Sequence, residues 1–294
     1  MIERLLTSHD PAIRRLAGDG TADALASPLV KTLLDFPLDI NPYKKWWGTH
    51  WRLVALADLG VPPGTGGLSA GIERELAWLL SAAHRKSIEK TVRGLRRFCA
   101  SMEGNAVYAA SKLGFATDPR IGTLVELLLE SQWPDGGWNC DVTANGKRSS
   151  FHETVTPALG LVAYNEATGN LEALRAARRC AELFLEHELF RSTRTGEPIH
   201  PSWTKPHYPA YWHYDILQAL RLLDTLDILD DPRATDALEL LDATRRPDRR
   251  FSGPAWFSDR LPDAVDWGRG PDNEMLNLRA EQVLRRVGGR GKQP

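Results

Sequence analysis

Along the chain, apolar residues recur at spacings of three and four in one segment after another. No segment shows sustained single alternation bounded by hairpin turns. The pattern predicts an all-α protein in which strands are not needed.

Two kinds of helical segment can be distinguished. The first kind is rich in Ala, Gly, Leu and Thr and carries few charges past its first turn; it occupies residues 46–60, 102–114, 151–161, 211–223 and, more faintly, 271–280. The second kind is conventionally amphipathic, with Arg and Glu on one side, and covers residues 73–84 with a continuation to 98, 121–130, 171–187 and 235–241. Aligning the first kind places His50, Asn105, His152, His213 and Asn273 at equivalent positions, 47 to 61 residues apart. That period suits a repeated helical hairpin with a long loop. A layered arrangement would sort the apolar helices into an inner ring, starting at one common end, and the amphipathic helices into an outer ring.

Ahead of the repeats, residues 8–16 have a polar cap and then Pro11, a helix start, and residues 28–34 read as another short helix. The expected organisation is therefore an N-terminal helical extension over residues 1–40, a repeat domain over 41–288 and a disordered tail over 289–294.

Composition narrows the picture. With 37 Lys and Arg against 38 Asp and Glu, and no long single-sign block, nucleic acid is not an expected partner. Cys99, Cys140 and Cys180 are odd in number, widely spaced and without a CxxC pair, which argues against a disulfide framework and for a reducing, cytoplasmic setting. The first sixteen residues mix acidic and basic side chains where an export signal needs an apolar core, and no apolar run approaches membrane-spanning length. Ten tryptophans are the compositional outlier. Aromatics at element ends serve as core packing or as walls of an apolar pocket, and Trp47, Trp51, Asn105, Phe151, Tyr211, Trp212 and Glu274 are the pocket candidates.

Among candidate chemistry, the recurrence of His50, His152 and His213 one or two residues into an inner helix stands out. His is not a preferred cap, and the positive end of a helix dipole favours neutral imidazole. Neutral imidazoles converging at one rim suit a zinc site or a general base. Glu153, Asp215 and Glu274 lie close by in sequence, and Cys140 and Asp141 on the loop before His152 are candidate extra ligands. The competing reading is that each histidine fills a crowded rim and bonds a neighbouring turn. His207, on a Pro-rich loop with His200, is a secondary candidate, while His9, His84 and His187 read as ordinary helix residues. Arg191, Arg194, Lys205, Lys147 and Arg148 form a candidate anion-binding group.

The run Gln132-Trp133-Pro134-Asp135-Gly136-Gly137-Trp138 resembles the QW motif of the squalene-hopene and oxidosqualene cyclases. Residues 247–256 resemble a degenerate second copy. The hairpin period is similar to that of the α/α-toroid superfamily, which joins those cyclases to the β subunits of protein prenyltransferases. The resemblance implies a single toroid of about five hairpins over residues 46–287. In the motif itself, Gly136 and Gly137 are expected to permit positive φ, Gln132 to bond backbone groups at a helix end, and Trp138 to cover the turn.

The Asp-x-Asp-Asp acid of the cyclases is missing; residues 224–232 instead read as a solvated helix terminus. The prenyltransferase zinc ligands would fall at Ser150, His152 and His213, so the thiol chemistry does not carry over directly. Two hypotheses follow from the resemblance and the histidines. One is an enzyme acting on an apolar, isoprenoid-like small molecule, with His152, His213, Asp215 and Glu153 catalytic, and His50, His152, His213 and Cys140 as zinc ligands; it allows for peripheral membrane contact. The other is a non-catalytic toroid that binds a lipid or a protein partner.

Overall fold

The computed structural model describes residues 2–88, 90–143, 145–254 and 266–290. Among them, the chain forms thirteen α-helices: α1 (Ile2–Leu5), α2 (Pro11–Ala17), α3 (Pro28–Leu34), α4 (Thr49–Asp58), α5 (Leu68–Leu79), α6 (Ala82–Ile88), α7 (Ala100–Lys112), α8 (Pro119–Ser131), α9 (Phe151–Thr168), α10 (Leu171–Glu186), α11 (Ile216–Thr225), α12 (Thr235–Ala243) and α13 (Glu274–Arg290). Strands β1 (Lys90–Val92) and β2 (Leu95–Arg97) form a small antiparallel pair. None of the described helices is long and apolar enough to cross a membrane.

Two of these elements correct the sequence reading. The outer helix expected to run from Glu73 through to Phe98 ends at Leu79, gives way to α6, and is replaced beyond it by the hairpin. The reason is local: Arg93 and Gly94 both take positive φ, 54° and 77°, which closes a two-residue turn between Val92 of β1 and Leu95 of β2. The second correction concerns α11. It starts at Ile216, with Asp215 as its cap accepting from Gln218 N at 3.1 Å, so His213 precedes the helix instead of lying inside it.

The chain divides into two compact units, Pro28–Cys180 and Met1–Ser27 with Ala181–Pro294. The first 27 residues thus group with the C-terminal part, and the boundary near 40 expected from sequence does not coincide with this division. Positions 291–294 of the expected tail lie outside the described residues, as do Ala255 and Trp256 of the second motif copy.

In Pro28–Cys180, α7 lies between α4 and α9. In the first half of α7, Asn105 Nδ2 faces His50 Nε2 at 3.5 Å and Ser101 N donates to Glu153 Oε2 at 3.0 Å. In the second half, Tyr108 Oη donates to Asp58 Oδ1 at 2.8 Å and Lys112 pairs with Glu166 at 2.6 Å. The three helices therefore run parallel, with the first turns of α7 and α9 together. Small residues let α7 and α9 approach closely: a β-carbon on Gly104 would lie 2.4 Å from Pro157 N, and one on Gly160 would lie 2.4 Å from Gly104 O. The amphipathic α5 and α8 pack on α7.

In the other unit, α2 packs on α13, where Ser8 Oγ donates to Glu274 Oε2 at 2.7 Å. There, α11 contacts both α12 and α13.

Candidate functional site

The segment joining α8 to α9 is built to hold its own shape. Gln132 donates from Nε2 to Gly136 O at 2.8 Å and to Ala176 O at 3.0 Å, and its Oε1 accepts from Arg179 Nε at 2.8 Å. Trp138 is fully buried and donates from Nε1 to Leu128 O and to Ser131 Oγ, each at 3.2 Å. Gly136 takes φ of 99°, as the turn requires. Gly137 does not; it is needed because a β-carbon there would meet Thr154 Oγ1 at 2.3 Å.

Beyond this turn, Ser150 N returns to Trp138 O at 2.7 Å and Ser149 N to Asp135 Oδ2 at 2.7 Å, which closes the base of a loop that carries Cys140. The β-hairpin meets the same turn from the other side. Trp133 Nε1 donates to Arg96 O at 2.9 Å, and the Arg97 guanidinium, 1 % exposed, lies 4.2 Å over the Trp133 ring. Two residues on, Cys99 precedes α7.

These supports bring three potential ligands together. Cys99 Sγ, Cys140 Sγ and a carboxylate oxygen of Glu153 lie within 4.8 Å of one another, and no other group of three such ligands is formed among the described residues. Glu153 is buried, Cys99 half-buried, and Cys140 exposed as a residue. Their proton affinities are interlocked. The thiol of Cys99 bonds to the sulfur of Cys140, which holds Cys140 well below the ordinary thiol value and pushes Cys99 above it. Burial, with the Cys140 charge beside it, raises Glu153 to about 8. Cys140 is thus the thiolate of the group, accepting hydrogen bonds from its two neighbours. Two thiols and a carboxylate form a donor set suited to zinc.

A second polar group lies in the same unit. His50 Nδ1 is 2.7 Å from Glu75 Oε1, and His84 Nε2 is 3.1 Å from Glu103 Oε1, all four residues being buried. In each pair a ring nitrogen faces a carboxylate oxygen within hydrogen-bond distance. Tyr43, Trp51 and Trp78 surround these pairs: the Tyr43 ring lies 5.1 Å from His50, 4.8 Å from Trp51 and 5.9 Å from Trp78, and Trp78 lies 4.8 Å from His84. Burial raises the Tyr43 hydroxyl well above its ordinary range, and the charges of Glu153, Cys99, Glu103 and Glu75 add to this. One hydroxyl therefore sits within electrostatic reach of both polar groups.

The residues expected from sequence are distributed as follows. Glu153 and Cys140 join the three-ligand group. His50 and His152 are each the second residue of their helices, α4 and α9, but His50 is engaged by Glu75 and neither belongs to that group. His213 lies in the other unit, its ring stacked 3.9 Å from Trp212 and 6.1 Å from His207. In that unit, His207 Nδ1 pairs with Asp215, whose main bonding is to backbone N–H groups, including His207 N at 2.9 Å. Asp215 is thus a helix cap that also holds a buried histidine. Tyr211 is nearly buried, and Glu274 is held by Ser8. Phe151 is buried at the start of α9, whereas Trp47, 44 % exposed, does not wall an enclosed pocket. Arg191 is paired with Glu188 at 3.0 Å and with Asp236, so its charge is already matched.

Sequence reasoning missed Cys99, Glu75, Glu103 and His84. A carboxylate inside the apolar α7 segment was a legible signal for Glu103. Cys99 and Glu75 carry no signal, because it is the hairpin and helix packing that bring them in. No family model, no curated protein and no solved structure matches this chain.

Proposed function

We propose that the chain is a zinc-dependent enzyme of α/α-toroid architecture whose reaction centre is the Cys99, Cys140 and Glu153 group. Consecutive hairpins α4–α5, α7–α8 and α9–α10, with α4, α7 and α9 parallel and side by side, support the toroid reading. The observation that carries the function is the convergence of two cysteines and a glutamate from three separate segments, with ligand atoms within 4.8 Å of one another. Three protein ligands leave a fourth position on a tetrahedral ion for water or substrate, the pattern of catalytic sites, whereas structural sites are closed by four. Bound there, zinc supplies Lewis-acid activation of the group in that position. The protein residues hold the ion, and Ser101 N fixes the Glu153 carboxylate. Tyr43, Trp51 and Trp78 provide an aromatic surface for the apolar substrate body that the toroid resemblance implies.

Elemental analysis of the purified protein tests the reading. One zinc per chain is expected, lost in Cys99→Ser and Cys140→Ser variants that keep their helical circular dichroism. A wild-type chain that retains no zinc after supplementation and desalting would overturn it.

A further inference from the structure

Glu75 on α5 and Glu103 on α7 are only 2 % and 1 % exposed. Each uses one oxygen to bind a histidine, and in each the other oxygen, Oε2, is buried with no hydrogen-bond partner. A buried carboxylate oxygen without a donor is costly, so two in one region call for a ligand that donates to them. Their ion pairs in the structure are with His50 and His84.

The surroundings specify what kind of ligand. Trp78 lies between the two pairs, its ring 4.8 Å from His84 and 6.4 Å from His50, and Tyr43 stacks against it at 5.9 Å. Aromatic faces beside carboxylates are the recognition chemistry of organic ammonium groups. A second metal ion fits less well. The ligand atoms of His50, Glu75, His84 and Glu103 do not form a group of three within chelating distance of one another, whereas an ammonium on a carbon chain can span separated acceptors. Glu103 lies in the first turn of α7, which Cys99 precedes and whose Ser101 N bonds Glu153, so this acidic region is beside the three-ligand group.

We propose that the substrate carries a positively charged nitrogen, bound between Glu75 and Glu103 against the rings of Tyr43 and Trp78, with its reacting end toward Cys99, Cys140 and Glu153. The proposal rests on the reading of this end of the unit as a reaction centre, but not on the identity of the ion held there. It narrows the substrate class from an apolar molecule to an amine with an apolar body.

Calorimetric titration of the full chain with n-octylammonium chloride and with octan-1-ol at pH 7 tests the proposal, since the two probes share an apolar body and differ in the charged nitrogen. Octylammonium is expected to bind at least ~10-fold more tightly than octanol. Glu75→Gln and Glu103→Gln should each abolish most of that preference and leave octanol binding unchanged. Trp78→Leu should weaken octylammonium as well, and it provides the test should a glutamine variant fail to fold by circular dichroism. Equal binding of the two probes, no binding of octylammonium at millimolar concentration, or an undiminished preference in the folded variants would overturn the proposal. Cys140→Ser separates the two readings: it is expected to lose zinc and keep octylammonium. A wild type that binds octylammonium but no zinc refutes the zinc centre alone, and one that holds zinc but shows no preference refutes the amine subsite alone.

Discussion

Ser101 N, in the first turn of α7, donates to Glu153 Oε2, in the first turn of α9, at 3.0 Å. The bond crosses between the two helices and occupies one oxygen of a buried carboxylate. It separates the structural role of Glu153 from its role as a ligand, because a glutamine oxygen can still accept from Ser101 N but is a poor partner for a metal. Glu153→Gln is therefore expected to fold as the wild type does and to lose more zinc affinity than the ~10–100-fold typical of removing an outer-shell partner. Glu153→Ala leaves the buried N–H without an acceptor and should in addition cost about 1–3 kcal/mol of stability. Competition titration with a zinc chelator and denaturant unfolding measure the two effects.

The three cysteines should differ sharply in reactivity. Cys140 is held below its ordinary value by the Cys99 hydrogen bond, Cys99 is raised by the same bond, and burial pushes Cys180 up to about 12. Thiolate is the reactive form. In metal-free protein at pH 7, iodoacetamide should label Cys140 first and leave Cys180 unmodified, and zinc should protect Cys140. Peptide mapping by mass spectrometry reads the order; equal labelling of Cys140 and Cys180 in folded protein would contradict it.

Helix content was legible because the apolar spacing that defines each helical segment is the face it buries. The polar cap ahead of Pro11, Asp10, was equally plain, whereas Asp118 and Asp215 were not read as caps. The candidate site was only half legible. Cys140 and Glu153 flank the loop that leads into α9 and so stood out, yet their partner Cys99 is delivered by a hairpin read from the sequence as helix. The histidine repeat misled at His213 because a local Asp cap, and not the repeat position, sets where α11 begins. His50 occupies the expected place, but its partner Glu75 comes from a neighbouring amphipathic helix, where a glutamate looks like ordinary surface.

The contact between α7 and α9 makes a prediction whose sign distinguishes packing from propensity. Replacing a helical glycine by alanine ordinarily stabilises by about 0.5–1 kcal/mol. Gly122, in α8, has nothing within 4 Å of where a β-carbon would go, so Gly122→Ala should show that gain. At Gly104 the added carbon would lie 2.4 Å from Pro157 N and 2.5 Å from Pro157 Cα, both backbone atoms that cannot swing aside. Gly104→Ala should therefore destabilise by about 1–3 kcal/mol despite its better propensity. It should also lower zinc affinity, since moving α7 from α9 separates Cys99 from Glu153. Denaturant midpoints of the two variants provide the comparison.

The pH dependence should reverse on adding zinc. Glu153 rises from 4.5 to about 8 in the folded chain, so the folded state holds its proton more tightly than the unfolded state does. Its contribution to stability is then fully present below about pH 4.5 and is lost as pH rises through 8. Cys140, lowered in the fold, works in the opposite sense, its contribution fading as pH falls through its depressed value. Subtracting a Glu153→Gln control isolates the glutamate together with its coupling to Cys140. In metal-free protein, the melting temperature of the wild type relative to that control should fall between pH 6.5 and 8.5. With zinc, the ion must displace the Glu153 and Cys99 protons, so affinity should climb over the same interval and the wild type should gain on the control. Differential scanning calorimetry at half-unit pH steps, with and without zinc, measures both slopes; parallel curves in the two conditions would remove Glu153 from the ligand set.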